Sequence, residues 1–99
     1  MFAGSSTYQG PPDHIDEGVR YAQENILPRV QEVEGFKGVY LLVDRQSGKA
    51  LTITLWESEE AMRAGEAEAN QLRRETAEAG SQEVAGVERY EVAISQERS

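Results

Sequence analysis

The stretch from Gly35 to Glu57, GFKGVYLLVDRQSGKALTITLWE, constrains this chain more than any other. It reads as a hairpin that is apolar on both faces. Placing Leu42 opposite Thr52 sets Tyr40 against Thr54 and Gly38 against Trp56. Val39, Leu41, Val43, Leu51, Ile53 and Leu55 then share one face. Phe36, Tyr40, Leu42, Thr52, Thr54 and Trp56 share the other. Side chains alternate with period two, so a slip of one residue mixes the two sets. The first face can take a layer of helices. The second also needs a cover, and a chain of 99 residues has no third layer to offer. A second copy of the chain is the expected cover.

The remaining composition bounds the function classes. The length suits one domain over residues 1–99, with a modest core. The net charge of −8, carried mainly by glutamates, argues against nucleic acid, whose phosphates require clustered Lys and Arg. It argues equally against an anionic membrane surface. With no cysteine, disulfides, thiolate catalysis and Cys-based zinc sites are excluded, and a cytoplasmic location is expected. The opening MFAGSSTYQG has no basic region and no long apolar run, so it does not read as a signal peptide. No apolar stretch approaches the roughly 20 residues that span a bilayer.

The pattern predicts strand, helix, strand, strand, helix, strand. The first strand is expected at Met1 to Tyr8, ended by Gly10-Pro11-Pro12. Helix one is expected from about His14 to Val33, because Ile15, Val19, Ala22, Ile26, Val30 and Val33 form one apolar stripe. Pro28 lies inside it and predicts a kink or break near Asn25 to Leu27. The hairpin connection is expected at Arg45 to Lys49, with Asp44 facing Ala50 and Gly48 at positive φ. Helix two should start at the N-cap Ser58 and stop at Gly80, with Met62, Gly65, Ala69, Leu72 and Thr76 turned inward. Ser81 to Gly86 reads as a loop and Val87 to Ile94 as the last strand. The polar tail, Ser95 to Ser99, is expected to fray. This order predicts an α+β, ferredoxin-like βαββαβ fold: a four-stranded antiparallel sheet with two helices on one face.

Several segments resemble the antibiotic biosynthesis monooxygenase family of the dimeric α/β-barrel superfamily. They are Leu27-Pro28, the lead from Pro28 through Gly35-Phe36 into strand two, Leu55-Trp56-Glu57-Ser58-Glu59-Glu60-Ala61, and Val87-Glu88-Arg89-Tyr90-Glu91-Val92. The resemblance implies a homodimeric barrel. It also implies cofactor-free oxygenation, in which an electron-rich phenolate substrate itself activates oxygen. Related branches degrade haem, using an axial His on the second helix. Ser58 to Gly80 contains no His and strand one no Asn, which argues against haem breakdown.

Such chemistry needs an aromatic-lined cavity, a donor or base for the oxyanion, and exclusion of water. Trp56 is either a platform for a flat substrate or an interface anchor. Of the phenols Tyr8, Tyr40 and Tyr90, Tyr40 is the leading catalytic candidate, being mid-strand with Thr54 opposite. Phe36, Leu42, Thr52, Thr54 and Trp56 accompany it on a surface that is substrate pocket or dimer face. His14, the only histidine, sits at a helix start and reads as solvated. Arg89 and Glu91 point to one face and read as a cross-dimer ion pair or as the polar groups of a pocket, the pair being favoured. Glu57, Glu59, Glu60, Glu66 and Glu68 read as a solvated helix face. Acidic and histidine residues never cluster at ligand spacing, so no metal is expected, and no cofactor. Two readings follow: a cofactor-independent monooxygenase acting on a small aromatic or quinone-like compound, or a non-catalytic ligand-binding or stress-associated dimer on the same scaffold.

Overall fold

A computed structural model describes residues 1–98. The strands are β1 (Phe2–Gln9), β2 (Phe36–Val43), β3 (Lys49–Trp56) and β4 (Glu83–Glu91). They form one antiparallel sheet in the order β2-β3-β1-β4. The helices are α1 (Ile15–Tyr21), α2 (Leu27–Val30), α3 (Glu59–Ala64) and α4 (Glu66–Ala79). They pack on one face of the sheet, as in a ferredoxin-like fold. Ser99, the last residue of the expected frayed tail, lies outside the described residues.

Helix one breaks where proline chemistry demands. Pro28 cannot donate to the carbonyl one turn back, and its ring crowds that turn. The chain responds with a π-helical turn over Ala22–Ile26, and α2 resumes at Leu27. The helical stretch ends at Val30, three residues before the expected Val33. Helix two is also two pieces. Ser58 caps it as expected, its Oγ accepting from Ala61 N at 3.1 Å. Gly65 then interrupts it with φ −86° and ψ 3°.

The hairpin corrects the expected register by one residue. Leu42 faces Leu51, Tyr40 faces Ile53 and Gly38 faces Leu55. The cause is the turn. Asp44 Oδ1 accepts from Gln46 N at 2.9 Å, and Gly48 takes φ +81° and donates to Asp44 O at 3.0 Å. Asp44 N reaches Lys49 O at 2.8 Å, so the connection is Arg45 to Gly48, one residue shorter than expected. A bulge between Phe36 and Gly38 then brings Phe36 opposite Trp56.

The two faces exchange members accordingly. Val39, Leu41 and Val43 keep the helix side, joined by Ala50, Thr52, Thr54 and Trp56 from β3. Tyr40 and Leu42 keep the outer side, joined by Leu51, Ile53 and Leu55. β4 starts at Glu83 rather than Val87 and ends at Glu91 rather than Ile94. Gly86 pairs with Thr7, and a bulge between Thr7 and Tyr8 absorbs the mismatch.

Candidate functional site

A cavity of about 440 Å³ lies between the inner sheet face and the helices. Both helical stripes read from the sequence supply its roof. Val19, Ala22, Ile26, Val30 and Val33 come from the first, and Met62, Gly65, Ala69, Leu72 and Thr76 from the second. Its floor is Gly4, Ser6 and Tyr8 of β1, Val39, Leu41 and Val43 of β2, and Thr52, Thr54 and Trp56 of β3. The volume falls within the roughly 300–1,000 Å³ usual for small-molecule sites, and the lining is mostly apolar.

Trp56 closes one end and is buried. Its Nε1–H donates to Thr54 Oγ1 at 3.0 Å, and Thr54 Oγ1 donates to Gly4 O at 3.3 Å. Phe36 meets the indole edge-on, with ring centroids 5.7 Å apart. Gly65 makes the helix approach possible. A Cβ there would stand 3.1 Å from Trp56 Cη2 and 3.3 Å from Val33 Cγ1. The helix break and the seating of the tryptophan are therefore one structural event.

Tyr8 is the phenol of the cavity, only 3% exposed. Burial pushes its pKa up. The Thr52 hydroxyl, the Arg73 charge and the Ser6 hydroxyl pull it down by less. The group therefore stays protonated at neutral pH and is available as a hydrogen-bond donor to an oxyanion. Arg73 reaches in from α4, and its Nε–H donates to Ser6 Oγ at 2.8 Å. Glu66, two α4 turns earlier, binds Arg89 of β4, with Arg89 Nε at 3.3 Å from Oε2.

The sequence-predicted residues thus separate into two groups. Thr52, Thr54 and Trp56 line the cavity, and Phe36 supports the indole. Tyr40 and Leu42 stand on the outer face, 62% and 47% exposed, with the sheet between them and the cavity. Tyr40 does not face Thr54, because the shorter turn shifted the ladder. Arg89 lines the cavity and forks onto Glu66 of its own chain, while Glu91 is not among the lining residues. Glu57, Glu59, Glu60 and Glu68 are exposed as expected, Glu68 pairing with Arg29 at the cavity rim, whereas Glu66 is half-buried on the cavity wall and pairs with Arg89. His14 lies outside the cavity lining, 3.6 Å from Glu17.

Arg73 and Glu66 were missed from sequence, yet carried a signal. Met62, Glu66, Ala69, Arg73 and Thr76 follow spacings of four, three, four and three, one inward stripe containing two charges. Among the described residues, no group of three or more His, Cys, Asp or Glu is gathered to hold a metal ion. No helix among them is long and apolar enough to cross a membrane.

Known proteins share this architecture. An uncharacterised protein of Mycobacterium tuberculosis strain H37Rv is 42% identical over 64 residues, covering 65% of this chain and 27% of that protein. The chain therefore spans about a quarter of the length of this curated relative. A monooxygenase of Streptomyces coelicolor, solved with nanaomycin D, superposes with a TM-score of 0.74 at 18% identity, over 99% of this chain and 92% of that one. SnoaB, a cofactor-independent oxygenase of Streptomyces nogalater, gives 0.66 at 15% identity, over 95% and 94%. At such identities the two structures speak for the fold. Residues 1–69 match the antibiotic biosynthesis monooxygenase family, and the chain belongs to it.

Proposed function

We propose that this protein is a homodimeric, cofactor-independent monooxygenase that oxidises a small phenolic or quinone-like compound in the cavity between sheet and helices. The observation that carries the reading is the pairing, inside one apolar cavity, of a buried aromatic platform, Trp56, with a buried phenol held protonated, Tyr8. A flat substrate stacks on the indole wall. Its phenolate oxygen accepts from the Tyr8 hydroxyl, which favours the ionised, electron-rich form. The substrate then supplies every electron. When a phenol becomes a para-quinone, one atom of molecular oxygen enters the ring. The other leaves as water, with the hydrogens lost from the phenolic O–H and the ring C–H. No external reductant enters the balance, in keeping with SnoaB, a cofactor-independent oxygenase of the same fold.

The outer face supports the dimer. Tyr40, Leu42, Leu51, Ile53 and Leu55 form an apolar surface with no covering layer in the protomer. A two-fold partner presenting the same surface buries it isologously. Tyr40, in this reading, belongs to the dimer face.

Oxygen uptake tests the reading. Purified protein is mixed with phenols, naphthols and hydroquinones without added metal, flavin or nicotinamide. Uptake is expected, and Tyr8→Phe should slow it by about 100-fold or more, the effect of losing one oxyanion donor. Tyr40→Phe should leave it unchanged. Binding seen as Trp56 fluorescence quenching, with no uptake from any compound, would establish the non-catalytic ligand-binding reading instead.

A further inference from the structure

The polar end of the cavity is built around an incompletely bonded guanidinium. Arg73 is the most buried charge on the wall, its side chain 14% exposed. Its Nε–H is held by Ser6 Oγ at 2.8 Å, and its Nη1 donates to Asn70 Oδ1. Both partners are neutral. Nη2 has no hydrogen-bond acceptor among the described residues, because the nearest carboxylate oxygen, Glu66 Oε1, stands 3.6 Å away. That carboxylate is already committed to Arg89, which binds both of its oxygens. Two guanidiniums therefore share one carboxylate. The other charged groups on the wall are engaged elsewhere: Arg45 by Asp16 at 2.9 Å, Glu68 by Arg29 at 3.4 Å, and Glu88 by the Tyr90 hydroxyl at 2.6 Å.

A half-satisfied guanidinium, withdrawn from water, favours an anion that can meet its planar N–H edge. We infer that the cavity is selective for a planar aromatic ligand bearing one anionic oxygen group, with Arg73 as the specificity-determining residue and Glu66 as an internal competitor for it. The inference rests on the cavity being a ligand site, as proposed above, and adds the charge of the ligand. Ser6 and Asn70 hold Nε and Nη1, which leaves Nη2 as the guanidinium group open to a ligand. The apolar rings lie toward Trp56 and the anionic group toward Arg73. When the anion enters, Glu66 withdraws wholly to Arg89, so no new unpaired charge is created.

Anthraquinone-2-carboxylate and its neutral amide, anthraquinone-2-carboxamide, have nearly the same shape and differ in charge. Their affinities for the intact protein are read from quenching of Trp56, the only tryptophan. The carboxylate is expected to bind about 10-fold or more tightly than the amide, the scale of a hydrogen bond to a charged group. Arg73→Gln should abolish that preference. Glu66→Gln should raise carboxylate affinity several-fold and leave amide affinity unchanged. Equal binding of the two compounds by the wild type, or failure of both to bind, overturns the inference. So does a preference that survives Arg73→Gln, or a Glu66→Gln variant in which carboxylate affinity falls. Should Arg73→Gln fail to fold, the wild-type and Glu66→Gln measurements decide alone. Oxygen uptake is scored separately. Charge selection without uptake removes the oxygenase reading and keeps the anion site; uptake without charge selection does the reverse.

Discussion

Replacing Trp56 with alanine tests the register and the site together. The indole is 4% exposed and packs against Phe36 and Gly65 on its protein side. Buried Trp or Phe to Ala changes cost about 3–5 kcal/mol, from lost transfer energy and the void left behind. Here the lower end applies, about 3 kcal/mol, because one flank of the ring already faces open cavity and has fewer contacts to lose. The Nε1–H to Thr54 hydrogen bond adds about 1 kcal/mol. Thr54 Oγ1 keeps its bond to Gly4 O and is not orphaned. The expected loss is about 4 kcal/mol. With a urea m-value of about 1.5 kcal/mol/M, the midpoint falls by about 2.7 M. Far-UV circular dichroism, at one fixed protein concentration, measures it without relying on tryptophan emission. A shift below about 0.5 M would refute the reasoning. It would mean that the indole is not packed between the sheet and the helices.

Other perturbations reach different parts of the argument. Gly48→Ala should cost about 2 kcal/mol or more in urea melts: φ +81° strains any L residue by about 1–2 kcal/mol, and the added Cβ falls 1.9 Å from Gly10 O. On the proposed dimer, Leu42→Asp should shift the protein to monomer in sedimentation velocity, since it sets a charge into the outer apolar face; a variant that stays dimeric removes that face from the interface. Glu75 carries part of the acid dependence, beside Asp44, whose carboxyl is held low by the Gln46 backbone N–H. Arg29, Tyr21 and Gln71 hold its pKa down, from 4.5 to about 2. A depressed carboxylate contributes stability that is fully present above its unfolded value and lost as pH falls through the folded one. Unfolding measured from pH 5 to pH 2 should therefore show a shallower acid loss for Glu75→Gln than for the wild type; identical slopes would exclude the bridge between helix one and α4.

Much of this molecule is legible in residue spacing. Apolar residues at three and four positions can face a sheet only from a helix, so both inward stripes follow from sequence. Pro28 lacks a donor wherever it is placed, so the break before it is a local property. Ser58 caps whatever follows it. These features depend on nearest neighbours along the chain, and they also carried the family resemblance.

The face of a strand is different, because it depends on pairing with a partner. Nothing within LTITLW says whether Leu51 or Thr52 meets Leu42. The Asp44 carboxylate and the left-handed Gly48 decided it by closing the turn one residue early, and every β3 side chain changed sides. That exchange moved Thr52, Thr54 and Trp56 into the cavity and left Tyr40 outside it. It also made Tyr8 the buried phenol, since β1 takes its register from β3. The meeting of Arg73 with Ser6, and of Glu66 with Arg89, joins residues 67 and 23 positions apart. Helical spacing marks two of these residues as inward. Only the packing of α4 across β1 and β4 determines which partners their charges meet.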